Sequence, residues 1–144
     1  AIRDFSVLWS IFELRATGRN GQRPNANPQR ICNAVAELGA DLDLESLLQA
    51  KDYFSDRYFN EGHPTSRYDQ LRVHSDFREK VQAALVDENA DARAVLVGLL
   101  LITNRLRNNF LHGGKAVYAF GNQLENFKYA NGVLMHAIPL WGDP

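Results

Sequence analysis

Apolar residues recur at helical spacing through most of the chain, and no stretch alternates as a half-buried strand would. Phe5, Leu8, Trp9 and Phe12 put one stripe on a helix over residues 4–16, with Leu14 just off the stripe and Asp4 as its N-cap. Residues 17–28 hold two glycines, two prolines and three asparagines, a loop composition. A second helix follows Pro28 and runs to Leu38, with Gly39 as its stop. Asp43 caps a third over residues 44–59, whose stripe is Leu44, Leu47, Leu48, Tyr53, Phe54, Tyr58 and Phe59. Gly62 and Pro64 break the pattern between Glu61 and Thr65. Residues 66–86 form a less regular helical stretch, interrupted near His74 and Ser75, where Ser75 can cap the second half.

Residues 90–111 carry the clearest helix. Positions 94–102 are apolar on nearly every face, which predicts a central, buried element. Its last turns become polar, and Gly113 and Gly114 end it. The final helix begins near Asn122, where Asn122 and Glu125 match a capping box. Its stripe is Leu124, Phe127, Ala130, Val133, Leu134, Ala137 and Ile138, and Pro139 stops it. The pattern predicts an all-α fold, and 144 residues suit one domain spanning 1–144.

Composition narrows the class. An apolar fraction of 45% and a charged fraction of 23% are ordinary for a globular protein and argue against disorder. The net charge of −1 excludes a polycation that coats nucleic acid by bulk electrostatics, so any RNA site must be a local concentration of basic residues. The single cysteine, Cys32, cannot make an internal disulfide; it reads as a small buried apolar residue and fits a reducing cytoplasm. The N-terminus does not read as a signal peptide, and the longest apolar run is far short of the ~20 residues that span a bilayer, so no membrane role is expected. The first residue is Ala1, so either an initiator was removed or the chain is a piece of a longer protein.

His63, His74 and His136 lack partners at zinc-ligand spacing, so no metal and no cofactor is expected. His63 reads as a loop residue and His136 as half-buried packing. Gly113-Gly114-Lys115 lacks the spacing and the hydroxyl residue of a phosphate loop, since Ala116 follows the lysine. Tyr53, Phe54, Tyr58 and Phe59 are either core or a stacking platform for bases, with core the plainer reading. Arg19, Arg23 and Arg30 either decorate a solvated loop or reach RNA phosphates.

The chemistry concentrates in residues 104–115. At about 100° per residue, Asn104, Asn108 and His112 line one stripe of the helix, and Leu106 and Phe110 face the other way, toward the core. Arg107 lies on the flank, and its long arm can bend toward His112. The helix dipole at this end favours a protonated His112 while Arg107 opposes it, a balance that suits proton transfer near neutral pH. The forked donors of Arg107 match phosphate oxygens. Arginine plus histidine is a minimal set for attack by a ribose 2′-hydroxyl on its own phosphodiester, with no metal needed. The plain alternative is a solvated helix cap, because histidine followed by glycine is a common helix ending.

The string Arg107-Asn108-Asn109-Phe110-Leu111-His112 is similar to the Arg-x4-6-His motif of HEPN ribonuclease domains, and its extension through Gly113-Gly114-Lys115 resembles the Apea-like branch of that superfamily. Trp9-x-x-Phe12-Glu13 also resembles the family's first helix. The likeness covers most of the chain in layout but only residues 104–115 in sequence detail. It implies a HEPN-type helical bundle of about four core helices plus short extra ones. It implies a metal-independent endoribonuclease that leaves a 2′,3′-cyclic phosphate, commonly as a homodimer with the two motifs facing. Toxin–antitoxin pairs and phage defence are settings it implies, with an antitoxin or a larger defence protein as partner. Carried over by position, Arg107 contacts the scissile phosphate, His112 moves the proton and Asn108 orients the pair. Asn104, Arg105, Asn109 and Lys115 then shape or extend the substrate side. Glu13 is either a supporting acid or a plain surface glutamate. The other function implied is a catalytically silent HEPN-like module that binds RNA or a partner protein.

Overall fold

The computed structural model describes residues 2–39, 41–112 and 123–142. Helix α1 spans Ile2–Thr17 and buries Phe5, Trp9, Phe12 and Ala16 along one stripe. It starts two residues before the expected cap, so Asp4 sits inside the first turn, where a carboxylate meets the positive end of the helix dipole. Helix α2 spans Pro28–Ala36. The Asn27 side chain accepts from the Arg30 N–H, and Pro28 opens the first turn, where no N–H is needed.

Helix α2 closes at Glu37 rather than through a glycine turn at Gly39. The reason lies far along the chain: Arg93 donates to the Val35 carbonyl and, at 2.9 Å, to the Leu38 carbonyl. A guanidinium thus supplies the donors that a left-handed glycine turn otherwise would.

The cap position of the next element is Leu44, one residue past the expected Asp43, whose carboxylate accepts from the Glu45 N–H at 3.1 Å and the Ser46 hydroxyl at 2.6 Å. The first turn there is a 3-10 helix, Glu45–Leu47, and α3 follows over Leu48–Tyr58. Where the pattern predicted only a break, a small hairpin stands. Strand β1, Phe59–Asn60, pairs antiparallel with β2, His63–Pro64, in the register Phe59↔Pro64 and Asn60↔His63. Glu61 and Gly62 make its turn at φ 50° and 81°, the left-handed pair that tight hairpins require.

Helix α4 spans Ser66–Leu71, capped by Thr65 and ended by Arg72 in a left-handed conformation. A 3-10 turn, Ser75–Phe77, leads into α5, Arg78–Val86. The cap of that turn is His74, whose Nδ1 accepts from the Asp76 N–H at 3.1 Å, and not Ser75 one residue on. Helix α6 spans Ala92–His112, and the Asp91 carboxylate accepts from the Ala94 N–H at 2.8 Å. Helix α7 spans Gln123–Ala137, followed by a 3-10 turn, Ile138–Leu140, that contains Pro139. The expected Asn122 cap falls outside the described residues.

Helix α6 is the axis, as its all-round apolar body predicted. Val95, Leu96, Leu99, Leu100 and Ile102 are fully buried. It packs against α2, α5 and α7, and α1 closes on α7. The buried residues form one hydrophobic cluster, and the class is all-α apart from the hairpin. Phe54, Tyr58 and Phe59 are core, while Tyr53 stacks on Tyr129 with ring centroids 4.1 Å apart.

Three apolar expectations fail locally. Leu48 is 38% exposed on α3. Leu124 is 47% exposed on the outer face of α7. Cys32 is half-buried at the edge of the core, where partial burial pushes its thiol up despite the opposing charge of Lys80. Among the described residues, no helix is long and apolar enough to cross a membrane.

Candidate functional site at the end of helix α6

The last turns of α6 stay rigid because their apolar side remains in the core. Leu106 is buried, and the Phe110 ring meets Phe127 edge-on at 5.6 Å. The opposite stripe is less open than its polarity suggests. Asn104 is only 3% exposed. What covers it is the loop after α1, folded back over the helix.

That loop is pinned from α1. The Ala26 N–H donates to Glu13 Oε2 at 3.0 Å, and the Asn25 N–H donates to Thr17 Oγ1 at 2.9 Å. Asn104 Nδ2 then donates to the Ala26 carbonyl at 3.1 Å. Asn108 Nδ2 donates to Asn104 Oδ1 at 3.5 Å, and Arg107 Nη1 donates to Asn108 Oδ1 at 3.2 Å. A continuous relay therefore runs from Glu13 through the Ala26 peptide groups, Asn104 and Asn108 to Arg107. Glu13 is more than a plain surface charge: it is the far anchor of this relay.

Arg105 and Asn109 do different work. Arg105 Nε donates to the Leu71 carbonyl at 3.1 Å and its Nη2 to Asn109 Oδ1 at 3.0 Å. Asn109 Nδ2 donates to the same carbonyl at 3.3 Å. Leu71 is the last residue of α4, so the two side chains cap that helix and set a positive charge at its negative end. They hold the site's frame.

His112 closes α6 one turn beyond Asn108, on the same stripe, and about 7.5 Å along the axis from Arg107 by helix rise. Its side chain lies outside the described residues, as do Gly113 and Lys115.

Beside the stripe, a cleft of about 520 Å³ opens between the start of α2, the segment 73–77 and α6. Asn104, Arg105 and Asn108 form its α6 wall, faced by Asn27, His74 and Phe77. Arg19 and Arg30 are engaged elsewhere. Arg30 donates to the Thr17 and Arg23 carbonyls, and Arg19 to those of Arg15 and Gly142. Among the described residues, no three His, Cys, Asp or Glu side chains converge as a metal site.

Sequence reasoning missed His74 as part of this region and left Glu13 open between a supporting acid and a surface charge. The available signal was Asn104 itself. A polar residue just past an apolar run, on a helix whose body is buried, must find a hydrogen-bond partner, and its partner is the loop that Glu13 anchors. No family model, no curated protein and no solved structure matches the chain.

Proposed function

We propose that the chain is a metal-independent endoribonuclease of the HEPN type, with Arg107 and His112 at its centre. The observation that carries this reading is the relay that ends on Arg107. A guanidinium held from behind by Asn108, itself braced by a buried asparagine, is set in place before substrate arrives. Such preorganisation is what electrostatic catalysis needs. A merely solvated helix end has no use for a buried brace.

In the reaction, the ribose 2′-oxygen attacks the adjacent phosphorus and the bond to the 5′-oxygen breaks. His112 takes the 2′-hydroxyl proton, and a proton returns to the leaving 5′-oxygen. Arg107 stabilises the charge that builds on the equatorial oxygens. The product is a 2′,3′-cyclic phosphate. A homodimer with the two helix ends facing doubles the local positive charge, which a chain of net charge −1 otherwise lacks. A toxin or defence role, with an antitoxin or a larger defence protein as partner, belongs to the same reading.

The test is cleavage of mixed-sequence RNA in EDTA by the wild type and by His112→Ala. The expected loss is about 10²- to 10⁴-fold, with cyclic-phosphate ends on the wild-type products. If neither protein cuts while both bind RNA or a partner protein, the motif is a retained scaffold and the chain is a binding module.

A further inference from the structure

We infer that the cleft beside Asn108 is a pocket for a single unstacked nucleobase, with the attached phosphate outside it at Arg107. This deepens the ribonuclease reading and rests on it for the source of the base. Four observations carry it.

The first is size. About 520 Å³ falls within the ~300–1,000 Å³ of small-ligand clefts and admits a heterocycle with its ribose. The second is charge. The lining holds one cation, Arg105, committed to the Leu71 carbonyl and Asn109, and one anion, Asp76. That balance suits a neutral ring and offers little to a phosphate.

The third is surface chemistry. Val73 and Leu101 supply an apolar floor, and the half-buried Phe77 ring supplies a flat face on which any base can stack. The polar groups around it are partly engaged already. Asn27 spends its carbonyl oxygen on the Arg30 N–H, so it presents N–H donors. Gln29 spends its amide nitrogen on Asn33, so it presents an acceptor. His74 accepts from the Asp76 N–H through Nδ1, which puts its proton on Nε2 as a donor. Donors and an acceptor around a flat apolar slot match the edge of a base.

The fourth is continuity. Asn108 lines the cleft and also holds Arg107. The cleft and the arginine thus share Asn108, and a base in the one brings its own phosphate toward the other. The same chemistry accepts a base within an RNA strand or in a free nucleotide.

The experiment titrates the isotope-labelled protein with AMP, GMP, CMP and UMP, and separately with an uncleavable 2′-O-methyl octanucleotide of mixed sequence. Chemical shifts of Gln29, residues 73–77 and the side-chain amides of Asn104 and Asn108 are followed. The expected result is saturable shifts at these groups with the octanucleotide, and about tenfold weaker binding for Phe77→Leu, which keeps the packing but loses the stacking face. Gln29→Ala, at an exposed rim position, is expected to change which base is preferred. Shifts with mononucleotides alone assign the pocket to free nucleotides. Base binding that survives in a wild type unable to cut RNA keeps the pocket and removes the ribonuclease reading. RNA that is bound or cut with no shift in the cleft, and with Phe77→Leu and Gln29→Ala unchanged, overturns the pocket and leaves the ribonuclease reading standing.

Discussion

At the scale of single residues, Asn104 decides most. It sits in the buried length of α6, yet its side chain bonds both forward along the helix and outward to a loop. Asn104→Ala leaves the buried Ala26 carbonyl without its donor, and Asn108 without its brace. The expected loss of stability is about 1–3 kcal/mol, read as a lower denaturant midpoint at unchanged slope. On the proposed mechanism RNA cleavage falls with it, because Arg107 is then held only through an unbraced neighbour. An Asn104→Ala protein with full stability would show that the loop is held by other means. The sequence placed Asn104 on the right stripe, alongside Asn108 and His112. It pictured that stripe as open, because periodicity gives the angle of a face and says nothing of what folds over it. The covering loop is tied down by Glu13, 91 positions before Asn104, and no local pattern encodes that distance.

At the scale of elements, α6 was the most legible, because a run apolar on all faces has only one place to go. The hairpin at Phe59–Pro64 was invisible, since two residues per strand cannot display an alternation. The end of α2 was misjudged for a related reason. Gly39 offered a local stop, but Arg93 supplies the donors from a position 58 residues beyond Val35. Between α5 and α6 the close approach centres on Gly98, where an added Cβ would collide with the Cβ of Ala84. Two effects of Gly98→Ala oppose each other. Helix propensity gains about 1 kcal/mol, while overpacking costs about 1–3 kcal/mol. The second should win, because the obstacle is a Cβ fixed to a neighbouring helix rather than the tip of a flexible chain. The expected result is a melting temperature lowered by several degrees. A raised one would mean that α5 yields freely.

At the scale of the whole molecule, stability should depend on pH through Tyr68 in the core and Tyr53 at its edge. Burial pushes the Tyr68 phenol up, against the pull of Arg78, whose guanidinium lies 5.0 Å from the ring centre. Tyr53 shifts the same way for the same first cause. A raised value means that folding favours the protonated phenol. That contribution is complete below about pH 10 and is lost as pH rises through the raised value. Thermal melts between about pH 9 and pH 11 should therefore show a falling midpoint, with a shallower fall for Tyr68→Phe. Equal slopes would assign the alkaline loss to other groups.

The segment after α7 has a kinetic meaning. The Trp141 indole donates to the Ala34 carbonyl at 3.3 Å and its ring meets Phe12 at 5.7 Å. Arg15 and Arg19 of the first helix and its following loop reach the Trp141 and Gly142 carbonyls, across 126 and 123 positions. These contacts close loops that take in most of the chain, and loop closure of that span comes late and slowly. During synthesis, α1 and α2 leave the ribosome long before their partner exists. Until residue 141 emerges, the face around Phe12 and Ala34 lacks its cover, so the nascent bundle should be a client of whatever shields apolar surface.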